Sequence, residues 1–128
     1  MVERAGPYLI LIGRVLLAII FIQSGWGKIF GYAGTVEHMQ AAGVPGALLP
    51  LVILTELGGG LLTVLGLFTH WAAIALAGFC VLSGYLFHYH PDDMMQMINF
   101  MKNITIAGGF LVLAGSGPGA YALDNRRA

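Results

Sequence analysis

Four charged residues and one amide interrupt otherwise apolar stretches of the sequence and could take part in chemistry: Arg14, Lys28, Glu56, Lys102 and Asn103. A carboxylate can accept a proton, whereas arginine, lysine and asparagine can donate hydrogen bonds to the oxygens of a small ligand. A charged side chain at the centre of a hydrocarbon layer costs about 2.5–3.5 kcal/mol on insertion scales. We therefore expect Glu56 to be paired, protonated or beside a polar cavity, and we take these five residues as the candidate ligand-binding site.

The remaining polar residues give weaker signals for catalysis or metal binding. The single cysteine, Cys80, excludes an internal disulfide and a CxxC redox pair. His88 and His90 precede a methionine-rich stretch, and imidazole and thioether groups suit copper(I). Their loose spacing is more typical of adaptable packing by methionine. The glycine clusters at 58–60 and 115–119 lack the context of a phosphate-binding loop. The sequence therefore predicts no metal site and no nucleotide site.

The composition places nearly the whole chain in a membrane. Of its 128 residues, 58% are hydrophobic and 9% are charged, and the mean hydropathy is +0.82. Backbone groups in lipid must be satisfied within the spanning segment, and the apolar runs are too continuous for barrel strands. We predict an all-α, integral membrane four-helix bundle that forms a single domain over residues 1–128. Its helices are expected at about residues 7–30, 47–67, 71–88 and 98–114. The zero formal net charge and the lack of a basic block argue against nucleic acid as a partner.

The positions of the basic residues predict how the bundle is oriented. Four crossings place both termini on one side, and Arg4, Arg126 and Arg127 lie near the termini. The first and third connections contain no lysine or arginine, so the positive-inside bias predicts that both termini are cytoplasmic. Within the first connection, residues 35–42 are expected to form a short amphipathic helix at the outer surface.

Helical periodicity indicates which charged residues share a face. Arg14 and Lys28 are 14 positions apart, which at ~100° per residue places them within ~40° of each other. Glu56 lies on a face of small residues, which allows another helix to approach closely. We expect the polar faces to meet, with Glu56 near the middle of the bilayer and with Arg14 and Lys102 reaching towards it from opposite sides.

Several short motifs in order resemble those of the DoxX family of small four-helix membrane proteins, over nearly the whole chain. The motifs are Gly13-Arg14, SGWGK at 24–28, GVPG at 43–46, ELGGG at 56–60, MKN at 101–103, and GPGAY at 117–121 followed by Asp124. The resemblance is strongest to the bacterial inner-membrane branch and implies that location. Similar proteins are linked with a terminal quinol oxidase, with thiosulfate:quinone oxidoreduction or with redox-stress complexes. By position, the resemblance implies that the same five residues line the central site.

The leading hypothesis is an accessory subunit of quinone-linked respiratory or redox-stress chemistry that binds a small anionic or quinone-like ligand. Arg14 and Lys102 would hold ligand oxygens, Asn103 would donate a further hydrogen bond, and Glu56 would orient a basic group or take up a proton. A quinone is the only cofactor that this hypothesis includes. Any enzymatic activity would be that of a subunit in a quinone-linked oxidoreductase, because no haem-ligand pair or cysteine couple is evident.

Two alternatives remain open at this point. The first is a structural or assembly subunit whose buried ion network sets the register of the helices, with no ligand. For Lys28 and Lys102 themselves, the alternative to a functional role is extension of the side chain towards the membrane surface. The second is a small proton-coupled transporter, which would require a homo-oligomer because four helices are few for transport. Partners other than the lipid bilayer would be redox-complex subunits or further copies of the chain.

Overall fold

The structure, a computed structural model, describes residues 2–127, with side chains for residues 4–125. Four helices are long and apolar enough to cross a membrane. They are α1 (Val2–Phe30), α3 (Gly46–Leu65), α4 (Thr69–His88) and α5 (Met94–Ser116). Two short helices, α2 (Tyr32–Ala41) and α6 (Leu123–Arg127), complete the fold. The described residues include no strand. The predicted all-α architecture with four membrane helices is confirmed.

Local capping decides where two of the helices begin and end. The α5 helix starts at Met94, four residues before the expected boundary at 98, because the Asp93 carboxylate accepts hydrogen bonds from backbone nitrogens at its start. The α3 helix ends at Leu65 because Gly66 adopts a left-handed conformation with φ of 68°.

The α3 helix is not regular along its length. It opens with a 3₁₀ turn at Gly46–Leu48, becomes α-helical over Leu49–Ile53, widens to a π-helix over Leu54–Gly58 and returns to α-helix over Gly59–Leu65. Short π-helical segments are rare and are frequent at functional sites. Glu56 lies in the middle of this segment.

The four membrane helices alternate in direction, so the bundle has two distinct ends. We call the end that carries α2 and the connection between α4 and α5 the α2 end. The opposite end, where α1 begins, α5 ends and α3 turns into α4, is the terminal end. The start of α1 and the segment after Ser116 meet there, since the Tyr8 and Tyr121 rings lie 5.1 Å apart. That this end faces the cytoplasm remains a prediction.

Small residues allow the helices to approach closely. A methyl group added at Gly25 of α1 would lie 2.9 Å from the backbone nitrogen of Leu57 in α3. Between α4 and α5, a methyl group added at Gly84 would lie 3.1 Å from Cβ of Asn103. Such contacts are typical of helix packing in membranes, where van der Waals contact rather than the hydrophobic effect holds helices together.

An aromatic and aliphatic core fills the middle of the bundle. Phe110 of α5 and Leu76 of α4 are fully buried, and Phe21 of α1 packs edge-on against Phe110 with ring centroids 5.4 Å apart. This core joins α1 to the pair formed by α4 and α5. It lies on the terminal side of Glu56 and closes the bundle there.

The α2 helix lies across the α2 end of the bundle. Its Met39 side chain is buried, and the His38 ring stacks on Phe87 of α4 with centroids 5.2 Å apart. A helix was expected at 35–42, and the structure has one that begins slightly earlier, at Tyr32. The space beneath it contains the candidate site.

Candidate functional site

Lys28 and Glu56 form a salt bridge between α1 and the π-helical segment of α3. Glu56 is only 3% exposed, and the Lys28 ammonium donates a hydrogen bond to its Oε1 and a second one, 2.9 Å long, to Ser24 Oγ. Lys28 therefore points into the bundle rather than along it towards the membrane surface. The carboxylate is paired, as the cost of burying it requires.

Asn103 reaches the same region from α5. Its amide nitrogen donates hydrogen bonds to the backbone oxygen of Cys80, at 3.2 Å, and to Ser83 Oγ, at 3.3 Å. Both acceptors belong to α4, so the amide joins α4 to α5 at the level of the ion pair. This contact fixes the orientation of the Asn103 side chain.

A cavity of about 460 Å³ connects these groups. Most of its lining is apolar and comes from α1, α3 and α4. The α2 helix lines it at the α2 end. The polar part of the lining includes Lys28 and Glu56, from α1 and α3, and Ser83 and Asn103, from α4 and α5. An apolar cleft with a few convergent polar groups is the usual form of a small-molecule site. We call this space the central cavity.

Arg14 lies elsewhere, in a cluster of backbone contacts at the terminal end. It is 2% exposed, and its guanidinium donates hydrogen bonds to the backbone oxygens of Pro118 at 2.6 Å, Tyr121 at 2.8 Å and Val64 at 2.9 Å. These three bonds tie α1 to the end of α3 and to the segment after α5. The structure therefore separates Arg14 from Glu56, although both point into the bundle.

The same cluster fixes the start of α4. The Asp124 carboxylate accepts hydrogen bonds from the backbone nitrogens of Phe68 and Thr69, at 2.8 and 2.9 Å. The backbone nitrogen of Asp124 donates to the oxygen of Gly66 at 2.9 Å. The polar groups exposed by the turn between α3 and α4 thus find partners in the segment that follows α5.

Lys102 lies on the outer face of α5 and does not line the central cavity. It is exposed and borders a shallow groove formed by Met94, Met97 and Met101 on the same helix. Lys102 and Asn103 are neighbours in sequence, and the ~100° rotation between adjacent helical residues turns them to different faces. Only Asn103 faces the interior.

Two histidines of the α2 end, His38 and His88, contact a ring and an amide rather than other potential metal ligands. His88 Nδ1 lies 2.8 Å from Gln96 Oε1, and His38 stacks on Phe87. Within the part of the chain that the structure describes, no three His, Cys, Asp or Glu side chains are grouped closely enough to hold a metal ion.

Three features of the site were not identified from the sequence. Ser24 is four residues before Lys28, and that spacing on one helical face could have identified it as a partner. Ser83 has no comparable signal, because its role depends on how α4 faces α5. The π-helical segment around Glu56 is likewise not readable from residue types.

Comparison with known proteins agrees with this architecture. The sequence profile of the DoxX family matches residues 9–89. The chain is 53% identical over 115 residues to inner membrane protein YqjF of Escherichia coli (strain K12), which covers 90% of this chain and 88% of that protein. It is 40% identical over 129 residues to inner membrane protein YphA of the same organism, covering 95% and 92%. No solved structure matches it. The chain thus belongs to the DoxX family, as an inner membrane protein with four membrane helices.

Proposed function

We propose that the central cavity binds a small quinone-like molecule and that the chain acts as an accessory subunit in quinone-linked chemistry. The proposal rests on one observation: a mostly apolar cavity of about 460 Å³ is lined by the salt bridge between the partly exposed Lys28 and the buried Glu56, and also by Asn103. Lys28 would donate a hydrogen bond to an oxygen of the ligand. Asn103, whose amide nitrogen already donates to Cys80 and Ser83, would accept one from a quinol hydroxyl through its side-chain oxygen. Arg14 and Lys102 have no part in it, because neither lines the cavity.

The charge balance of the cavity favours a neutral ligand over an anion. Lys28 is already neutralised by Glu56, so an anion would have to compete with the carboxylate for the ammonium group. An anion that drew the ammonium away would leave the buried Glu56 carboxylate without its counter-charge, which is strongly destabilising. A neutral carbonyl or hydroxyl group can instead accept a hydrogen bond from Lys28 while the pair stays intact. A quinone carries such groups on a flat apolar ring.

Glu56 would also handle protons in this site. Reduction of a quinone consumes protons, and oxidation of a quinol releases them, so a carboxylate beside the ring can act as acceptor or donor. A proton taken up by Glu56 would leave the partly exposed Lys28 ammonium facing the negative charge that develops on a ring oxygen during reduction. We assign to this chain the binding of the ring and the movement of a proton at Glu56, and we assign electron transfer to partner subunits.

Thermal stability with and without ligand tests the proposal. The purified protein would be melted in detergent with a ubiquinone or menaquinone analogue, and separately with thiosulfate or sulfite. A ligand that binds only the folded state stabilises it by about 2.7 kcal/mol at 100 times its dissociation constant. We expect the quinone analogue to raise the melting temperature of the parent, and the shift to disappear in Asn103→Leu and Glu56→Gln.

Lys102→Gln is the matched control, because it neutralises a charged side chain as Glu56→Gln does, but at a residue that lies outside the cavity. It should retain the full shift. If only thiosulfate or sulfite raises the melting temperature, the cavity binds an anion rather than a neutral ligand. No shift with any of these compounds, even in a well-folded parent, would contradict ligand binding.

One observation favours a structural role as the second candidate. The Lys28–Glu56 pair joins α1 to α3 directly, as an ion pair that sets helix register would do. In that case Glu56→Gln would lower stability strongly, and Asn103→Leu would lower it mildly. No quinone would then change either melting temperature.

A further inference from the structure

We propose that the ligand enters the central cavity sideways from the lipid, between the α2-end halves of α3 and α4. The ligand class is then a ring with a hydrocarbon chain, whose ring binds beside Lys28 and Glu56 while the chain extends outwards between the two helices. This inference rests on the proposed function, because it concerns the same cavity. It adds the route and the second part of the ligand.

The α2 end of the cavity is covered. At this end the cavity is lined by three residues of α2, Thr35, His38 and Met39, and by Val44 of the following turn. The stack between His38 and Phe87 fastens α2 to α4 at this position. A ligand coming from the water on this side would have to displace α2.

The terminal end of the cavity is closed by close helix packing. A methyl group added at Gly59 of α3 would lie 3.1 Å from the side chain of Leu76 in α4, so the two helices are in tight contact there. Leu76, Thr63 and Phe110 are fully buried at this level. No route for a ring-sized molecule leads through this layer.

The side of the cavity between α3 and α4 is open. The two helices are joined by a short turn at the terminal end and diverge towards the α2 end. Leu51 of α3 and Leu82 of α4 both line the cavity, and each is 60% exposed. Each therefore contacts the cavity on one side and the surroundings of the bundle on the other. We call the opening between these two leucines the side portal.

The surroundings of the side portal are lipid. Leu51 is the sixth of the 20 residues of α3, and Leu82 is followed by six more residues of α4. Both thus lie inside spanning helices rather than at their ends. The portal contributes apolar side chains, and an apolar chain placed there exchanges lipid contacts for protein contacts at little cost. A charged or strongly polar solute would not take this route.

The size of the cavity supports a ligand that is only partly enclosed. Its volume of about 460 Å³ is in the lower part of the ~300–1,000 Å³ range of small-molecule sites. That space holds a ring and a short part of a chain. A long chain must therefore leave the cavity, and the side portal between Leu51 and Leu82 is an opening that leads into lipid.

Binding in lipid nanodiscs separates the ring from the chain. The dissociation constants of decylubiquinone and of the same quinone ring without a chain would be measured for the parent, Leu51→Trp and Leu82→Trp. A tryptophan in the portal occupies the path of the chain. We expect it to weaken decylubiquinone binding by about tenfold, the low end of what a misplaced group costs in an apolar pocket. Binding of the chainless ring should change little.

Leu111→Trp is the matched control, because Leu111 is 59% exposed on α5 and does not line the cavity. It should bind both compounds like the parent. If the portal variants bind decylubiquinone as tightly as the parent, or lose both compounds equally, the portal is wrong while the cavity site stands. If neither compound binds the parent, the proposed function fails and this inference fails with it.

Discussion

Replacing Arg14 with leucine should destabilise the protein and release the segment that follows α5. The Arg14 guanidinium donates three hydrogen bonds of 2.6–2.9 Å to backbone oxygens, two of which, those of Pro118 and Tyr121, belong to that segment. Leucine fits the apolar surroundings but donates none of these bonds. Three carbonyl groups would then lose their charged partner at once.

The expected magnitude follows from the number and kind of these bonds. Hydrogen bonds between side chains in a membrane protein contribute on average ~0.6 and at most about 1.7 kcal/mol each. A charged donor that is 2% exposed places Arg14 near the upper value, so three bonds amount to about 5 kcal/mol. The variant also avoids the cost of burying a guanidinium, and this gain offsets part of the ~5 kcal/mol. We expect a net loss of about 3 kcal/mol in the free energy of unfolding.

Two measurements test this expectation. Reversible unfolding in mixed detergent micelles gives the free energy of unfolding, and limited proteolysis reports cleavage within residues 117–125. Arg4→Leu is the control, since Arg4 lies on the same helix but is exposed. The reasoning is refuted if Arg14→Leu loses less than about 1 kcal/mol, the size of a single neutral hydrogen bond. It is also refuted if proteolysis of the segment is no faster than in Arg4→Leu.

Three further predictions concern the ion pair, the cap of α4 and the contact between α1 and α3. Lys28→Met should cost about 3–5 kcal/mol because it leaves the buried Glu56 carboxylate unpaired. Glu56→Leu should cost less, because the Lys28 side chain is 27% exposed, and the double variant should cost less than Lys28→Met. If reversible unfolding shows that the loss in the double variant is the sum of the losses in the two single variants, the two residues are not coupled. Asp124→Ala should lower the free energy of unfolding by about 1 kcal/mol through the loss of its bonds to the start of α4, and unchanged thermal unfolding would contradict that role. Gly25→Ala should cost about 1–3 kcal/mol because the added methyl meets the backbone of α3. Gly27→Ala, which meets nothing within 4 Å, should be neutral or slightly stabilising by the same assay.

The sequence alone determined the class of the fold. Lipid offers backbone groups no hydrogen-bonding partners, so each long apolar run must be a helix, and four such runs make a four-helix bundle. The same constraint identified Glu56 as a residue that needs a partner or a polar cavity. Both conclusions depend only on local composition and length, which is why they hold without knowledge of packing.

Only the tertiary structure decided which residues meet. Helical periodicity places Arg14 and Lys28 on one face but does not say which of them reaches Glu56. That depends on the axial position of α1 relative to α3. The contact of Gly25 with Leu57 sets that position and leaves Lys28 beside the carboxylate.

The hydrogen-bond partners of Arg14 could not be predicted from the sequence for a different reason. They are backbone oxygens of a segment that folds back onto α1, and every residue carries such an oxygen. Residue type therefore gives no sign of them. Likewise, the orientation of α5 turns Asn103 inwards and Lys102 outwards, and that rotation is set by packing against α4. Side-chain chemistry identified the candidates, and the relative position of the helices selected among them.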